Sequence, residues 1–304
     1  MGPTASGKTE LGIQLSQSLP IELISVDSTQ IYADLNIGSG KLSVEQLKDY
    51  PHHLINILSP DQAYSAAEFV KQTRHLIEDI FQRGNIPLLV GGTMLYFKAL
   101  IEGLHDLPHS DPAVRKELED LAHQIGWPKM YEKLQAVDPI TAQRLDPNDK
   151  QRVQRALEVY SLTQKPMSWH LSQSKSDTTA KPLFKFKSFA LIPAEAERLV
   201  LHQRIERRFD QMLAEGLVDE VIGLRNKYKL HENLPSMRSV GYRQVWSYLQ
   251  NEIDYDEMRF KAIVATRQLA KRQLTWLRGW ADIQNLDFQD KHNLTTVSQI
   301  IENT

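Results

Sequence analysis

A chain of 304 residues, 41% hydrophobic and 24% charged, has the composition of one large or two smaller globular units, not of a disordered, collagen-like or coiled-coil protein. It contains no cysteine, which excludes a disulfide scaffold, a zinc finger, an iron–sulfur site and a thiol nucleophile. The net charge of −2 hides an asymmetry: Arg198 to Arg278 carries fifteen Lys or Arg against ten Asp or Glu, and Arg259 to Arg278 has six basic residues and no acidic one.

Such a basic run is either a solvated helix face or a surface for a polyanion, because clustered Lys and Arg displace counterions from phosphates. No apolar stretch approaches the ~20 residues of a membrane helix, and the opening residues are not a basic-then-apolar leader. A cytoplasmic protein, expected to be a monomer and to have no membrane partner, follows.

In chain order, Gly2-Pro3-Thr4-Ala5-Ser6-Gly7-Lys8-Thr9 reads as a loop opening a helix, with Leu11, Leu15 and Leu19 at helical spacing before Pro20. The short β-branched run 21–26 (IELISV) predicts a strand ended by Asp27. Phe69, Thr73, Leu76, Ile77, Ile80 and Phe81 share one helical face, closed by Gly84. Residues 86–90 (IPLLV) then form a buried strand feeding the Gly91-Gly92-Thr93 turn.

Strands alternating with amphipathic helices predict an α/β fold, a P-loop-type parallel sheet flanked by helices. Ligands gather at the carboxyl ends of such strands, where both Asp27 and Thr93 fall. From 111 to 179 helix-forming stretches at 112–124 and 149–162 dominate. Gly126-Trp127-Pro128, Asp146-Pro147-Asn148-Asp149 and a Ser/Thr-rich piece at 172–179 serve as connectors. This segment reads as a helical insertion dividing a core of residues 1–110 and 180–304.

Beyond it, residues 189–192 predict a strand returning to the sheet. Ile205, Phe209, Met212, Leu213, Leu217, Val221 and Leu224 trace one long amphipathic helix, and the C-terminal part reads as helical. A glycine-rich phosphate loop ordinarily follows a strand. Here Met1 directly precedes Gly2, so that strand is expected to be missing.

The segment Gly2 to Thr9 matches G-x-x-x-x-G-K-[ST] at all four fixed positions. The glycines let backbone N–H groups turn in on a phosphate, and the helix opening near Lys8 adds its positive end. Lys8 supplies a full charge, while the Thr9 hydroxyl suits Mg²⁺. The plainer alternative is a glycine turn capping a helix. Taken alone, the loop points to an NTPase or a small-metabolite kinase, in which an Asp ending a second apolar strand organises the metal. Only Asp27 fits that place, and it serves equally as a base facing whatever attacks a bound phosphate ester, or as a simple cap.

Eight motifs stand in order over nearly the whole chain. They are GPTASGKT at Gly2–Thr9, SVDSTQIY at Ser25–Tyr32, PHHLI at Pro51–Ile55 and YSAAEF at Tyr64–Phe69. LLVGGTMLYFKAL at Leu88–Leu100, NDKQRVQRALEVY at Asn148–Tyr160, SVGYRQVW at Ser239–Trp246 and ATRQLAKRQLTWLR at Ala265–Arg278 follow. In these motifs the sequence resembles the tRNA dimethylallyltransferases, or tRNA isopentenyltransferases, of the bacterial type.

The resemblance implies that a dimethylallyl group moves from dimethylallyl diphosphate to the exocyclic amine of the adenosine 3′-adjacent to the tRNA anticodon. Pyrophosphate leaves, with Mg²⁺ as cofactor. It implies that Gly2, Pro3, Thr4, Ala5, Ser6, Gly7, Lys8 and Thr9 cradle the diphosphate, Thr9 holding the metal. Asp27 is then the base, with Lys8 and Thr93 among the reacting groups.

For tRNA, the anticodon stem-loop in particular, it implies contact by Asp27, Ser28, Thr29, Gln30, Thr93 and Arg115. Gln151, Arg152, Val153, Gln154 and Arg155 form a second set, and Arg238, Ser239, Val240, Gly241, Tyr242 and Arg243 a third. Lys271, Arg272, Gln273, Leu274, Thr275, Trp276, Leu277 and Arg278 complete it. One stretch departs from the family's D-I-G-T-A-K-P: here Asn36-Ile37-Gly38-Ser39-Gly40-Lys41-Leu42 keeps a hydroxyl and a lysine but lacks the carboxylate and the proline. The D-D-x-x-D signature of isoprenoid chain-building enzymes is absent. A small-metabolite kinase is the alternative.

Overall fold

The computed structural model describes residues 1–104, 107–173, 184–194 and 197–303. It forms two compact units, Met1–Ile101 with Phe186–Thr304, and Glu102–Lys185. No helix among the described residues is long and apolar enough to cross a membrane.

The first unit opens with α1 (Lys8–Ser18), β1 (Ile21–Val26), α2 (Val44–Asp49), β2 (His52–His53), α3 (Ala66–Gln82), β3 (Ile86–Gly91) and α4 (Met94–Glu102). Ser65 starts α3 with a reciprocal cap: its hydroxyl accepts from Glu68 N at 3.1 Å and the Glu68 carboxylate accepts from Ser65 N at 2.8 Å. Phe69, Val70, Thr73, Ile77 and Ile80 are the buried face of α3. Phe81, expected on that face, is instead 54% exposed, one position past the stripe that Ile77 and Ile80 define.

The second unit is all helical: α5 (Pro112–Ile125), α6 (Trp127–Val137), α7 (Pro139–Arg144), α8 (Lys150–Thr163) and α9 (Met167–Gln173). It is wider at both ends than the expected 111–179. The Gly126-Trp127-Pro128 connector is mostly helix, since Gly126 alone, at φ +82°, separates α5 from α6. Of the Ser/Thr-rich connector, residues 174–179 lie outside the described residues.

The chain returns through β4 (Ser188–Ile192), α10 (Arg198–Ala214), α11 (Leu217–Lys227), α12 (Tyr242–Leu249), α13 (Tyr255–Arg278), β5 (Ile283–Asp287) and α14 (Asn293–Glu302). The single long helix expected from Ile205 to Leu224 is two helices. Gly216 breaks it in a left-handed conformation, φ +96°, which costs a glycine little. β5 was not visible as a strand in the sequence; its backbone pairs in parallel with β4 from Ser188–Ile283 to Ile192–Asp287.

The other sheet has the order β2-β1-β3, all parallel. Its register runs from Ile21 opposite Ile86 to Val26 opposite Gly91, so β1 and β3 end side by side. That register requires glycine at 91, where a Cβ would lie 2.0 Å from Val26 O. Asp27 and the Gly91-Gly92-Thr93 turn consequently leave the sheet at one edge. Ahead of the glycine loop, the Met1 amine donates to Phe189 O at 2.7 Å and Met1 O accepts from Leu191 N at 3.0 Å, the pattern of a parallel pair centred on Ala190.

At the opposite edge Glu22 ties three elements together. It accepts from Arg83 Nε at 2.9 Å and Nη2 at 2.8 Å and from Asn85 Nδ2 at 2.8 Å, with His53 Nε2 at 2.8 Å. Arg83 above all, then Asn85 and His53, lowers its carboxyl from 4.5 to about 2. A depressed folded-state pKa stabilises the fold above the unfolded value and is lost as pH falls through the folded one. Glu22→Gln is therefore expected to cost about 1–2 kcal/mol at neutral pH and to flatten the fall in stability between the two pKa values. Urea midpoints taken across that acid range check this; parallel pH profiles for the variant and the parent contradict it.

Candidate active site

Loop 2–9 is compact because its own backbone closes it: Pro3 O accepts from Ser6 N at 3.4 Å and from Lys8 Nζ at 3.0 Å. Gly7, left-handed at φ +87°, caps α1 without a side chain. Gly2 is packed so closely that a Cβ would meet Ser6 Oγ at 2.7 Å and Leu191 O at 2.8 Å. The loop is fastened from a distance by Gln273 of α13, only 8% exposed. Its Oε1 accepts from Thr4 N and its Nε2 donates to Gly92 O, both at 2.8 Å. One amide thus joins loop 2–9 to the turn after β3.

Across that turn Thr93 Oγ1 accepts from Ser28 N at 3.0 Å, fastening the end of β3 to the residue after Asp27. The Asp27 Oδ1 accepts from Thr29 N at 2.8 Å and Gln30 N at 3.3 Å, so the carboxylate is oriented by its own turn. Its Oδ2 accepts no hydrogen bond among the described residues. Thr29 Oγ1 donates to Ser239 Oγ at 3.2 Å, drawing in the loop ahead of α12.

Part of loop 2–9, the turn at Asp27 and the glycines after β3 border a cavity of about 150 Å³, to which Ser28 and Thr93 do not contribute. Thr4, Ala5, Lys8, Thr9, Asp27, Gln30, Gly92 and Gln273 line it with Arg208 of α10, while Ile205, Phe209, Met212, Val240 and Leu269 give it an apolar side. Burial pushes Lys8 down from 10.5 to about 8; Asp27 opposes that shift and Arg208 adds to it. Burial also lowers Arg208, again against Asp27. Two cations and one carboxylate leave a surplus positive charge, which suits a multiply charged anion.

Arg208 is absent from the sequence expectations. Its one hydrogen bond goes to Gly40 O at 3.4 Å, and no carboxylate among the described residues pairs with it. A signal was present: it stands three residues after Ile205 and four before Met212, a charge on the apolar stripe of its own helix.

The expected tRNA-contact residues divide. Ser28, Arg238, Arg243, Lys271, Arg272, Thr275, Trp276 and Arg278 are exposed. Gly241, Tyr242, Gln273 and Leu277 in the first unit, and Val153 in the second, are buried, Gly241 and Gln273 against the cavity. Tyr242 instead belongs to the main core cluster, and Leu277 packs with Met94 and Ala190.

The acid-free run is also less bare than it reads. Arg259 pairs with Asp210 at 2.6 Å and Arg267 with Glu206 at 2.9 Å, both partners on α10. Among the described residues Lys271, Arg272 and Arg278 keep no acidic partner. In the second unit Arg115 and Arg155 share the fully buried Glu158, at 3.1 Å and 2.7 Å, while Arg152 pairs with Asp149 at 3.0 Å. Gln154 Nε2 donates to Arg115 O and Glu119 Oε1, and Gln151 is exposed. In loop 36–42 Lys41 Nζ bonds Tyr32 O and, at 2.6 Å, Asn56 Oδ1, an internal brace for the loop.

A family model described as IPP transferase matches residues 30–280. The full-length tRNA isopentenylpyrophosphate transferase of Bacillus halodurans is 34% identical over 99% of this chain and 94% of its own, with a TM-score of 0.70. The tRNA delta(2)-isopentenylpyrophosphate transferase of Staphylococcus epidermidis is 33% identical over 100% and 96%, with a TM-score of 0.67. A eukaryotic dimethylallyltransferase solved while acting on tRNA is 29% identical over 99% and 78%, with a TM-score of 0.76. With the glycine loop, Asp27 and the turn after β3 gathered on one cavity, and with a match across most of its length, the chain belongs to the IPP transferase family, the prenyltransferases that act on tRNA.

Proposed function

We propose that the protein transfers the dimethylallyl group of dimethylallyl diphosphate to the exocyclic amine of the adenosine 3′-adjacent to the anticodon, as a cytoplasmic monomer. The observation that carries this reading is the placement of Lys8, Arg208 and the Asp27 carboxylate around one cavity that also has an apolar side. Loop 2–9, Lys8 and Arg208 take the diphosphate; Ile205, Phe209, Met212 and Leu269 flank the hydrocarbon. The adenine amine attacks the carbon bearing the diphosphate, the carbon–oxygen bond breaks to release pyrophosphate, and the amine proton passes to Asp27.

Charge grows on the leaving oxygens as that bond breaks. Cations fixed around them therefore act more strongly on the transition state than on the bound donor. The base lies in a stacked loop and must swing out to enter a cavity, which favours aromatic and guanidinium planes at the rim. Trp276, Arg278, Arg238 and Arg243 are exposed and suit that role.

The Thr9 hydroxyl beside Lys8 suits a Mg²⁺ ion bound chiefly by substrate phosphates, which neutralises leaving-group charge when present. Among the described residues no group of three or more His, Asp and Glu is placed to hold a metal ion.

Incubation of the protein with dimethylallyl diphosphate, Mg²⁺ and an unmodified anticodon stem-loop, followed by nucleoside mass spectrometry, tests the reading. A prenylated adenosine and one pyrophosphate per transfer are expected. An unmodified stem-loop with no pyrophosphate released would contradict it. Lys271→Ala and Arg272→Ala are each expected to weaken tRNA binding and to flatten the slope of log Kd against log salt by about one unit. An unchanged slope removes those side chains from the phosphate contacts.

A further inference from the structure

Gly38 and Ser39 contribute one wall of the cavity, yet they belong to loop 36–42, which contains no helix or strand. A loop without a ladder needs partners for its N–H groups, and here three successive ones converge on a single side chain. Glu220 of α11 accepts from Asn36 N at 2.9 Å and Ile37 N at 2.7 Å on Oε2, and from Gly38 N at 3.2 Å on Oε1. Consecutive N–H groups turned inward form a concavity for an anion, and the protein fills this one itself. Oε1 also accepts from the Tyr242 hydroxyl at 2.6 Å.

Tyr242 and α11 then close on the loop from the side. A Cβ at Gly38 would lie 2.6 Å from Tyr242 Cζ and 2.7 Å from Leu217 Cδ1, so this segment has no room to drift. The carbonyls of the same loop meet the site: Ser39 O accepts from Gln30 Nε2 at 3.4 Å and Gly40 O from Arg208 Nη2 at 3.4 Å. A continuous chain of contacts therefore runs from Glu220 through loop 36–40 to the guanidinium at the cavity. Glu220 itself touches none of the groups placed on the substrate.

We propose that Glu220 is a positioning residue: by fixing loop 36–40 it sets the cavity wall and the aim of Arg208, and so the grip on the diphosphate. The inference rests on the transfer reading above. A carboxylate bound by four donors is hard to replace, because an amide offers one accepting oxygen where two are used. A purely structural role would lower the melting temperature alone. The positioning role separates the substrates, moving the donor's binding and leaving the RNA's unmoved.

The experiment is calorimetric titration of the full-length protein with inorganic pyrophosphate and Mg²⁺, alongside KM for dimethylallyl diphosphate and Kd for the stem-loop. Glu220→Gln is expected to raise the pyrophosphate Kd and the donor KM by about tenfold or more, with stem-loop affinity kept within about twofold. Gly38→Ala, which pushes the loop off Tyr242 without touching the carboxylate, is expected to move the same two quantities and serves if Glu220→Gln does not fold. In an Arg208→Ala background the effect of Glu220→Gln should shrink, because the two act in series.

Folded Glu220→Gln or Gly38→Ala protein with parental pyrophosphate affinity, or full additivity with Arg208→Ala, overturns the inference. A parent protein that binds pyrophosphate but makes no prenylated RNA would instead sink the transfer reading while leaving the loop result standing.

Discussion

Asp27→Asn is expected to lower turnover by about 10²–10⁴-fold while stem-loop affinity stays within about twofold. The substitution is informative because the asparagine oxygen can still accept from Thr29 N and Gln30 N, as Asp27 Oδ1 does, so the turn keeps its shape. What it cannot do is take the proton of the attacking amine. An adenine amine is a weak nucleophile, and without a proton acceptor it must carry positive charge through the transition state. Removing the carboxylate also relieves the attraction that Lys8 and Arg208 feel toward it, so donor affinity should hold or rise. Single-turnover rates with donor and stem-loop both saturating give the result directly; near-parental rates would take Asp27 out of the base role.

Lys8→Ala is expected to cost about 10²–10³-fold in kcat and to raise the donor KM, with RNA affinity unchanged. Lys8 is half-buried beside the cavity, its Nζ 3.0 Å from Pro3 O of the same loop. A cation already held there needs little reorganisation as charge builds on the departing pyrophosphate. Steady-state kinetics in each substrate separate the two effects. If only the KM for RNA moves, Lys8 does not face the leaving group.

The parts of the fold written in local pattern were legible. The bounds of β1 follow from its β-branched run, and the glycine loop opening α1 from Gly2, Gly7 and the helical spacing after it. The place of Asp27 and Thr93 at a common edge follows from parallel strands that end in glycine or aspartate.

What was not legible depends on long-range geometry. β5 is a strand because β4 stands beside it, although Ile283-Gln284-Asn285-Leu286-Asp287 carries little β-branched bias of its own. The joint between α10 and α11 turns on the backbone of Gly216, which helical spacing on either side conceals. Arg259 and Arg267 look like a free basic face until α10 brings Glu206 and Asp210 against them. Gln273 and Glu220 reach across 269 residues to Thr4 and 182 residues to Gly38, distances over which no spacing rule operates. The motifs mark a whole segment, and only packing separates Lys271 and Arg272 on the outside from Gln273 and Leu277 within.

The most direct measurement is a crystal structure of the protein holding an unreactive dimethylallyl diphosphate analogue, Mg²⁺ and an anticodon stem-loop. The diphosphate is expected inside loop 2–9 against Lys8 and Arg208, with a swung-out adenine whose exocyclic nitrogen lies about 3 Å from the Asp27 carboxylate. A diphosphate seated elsewhere, or an adenine amine facing away from Asp27, would contradict it.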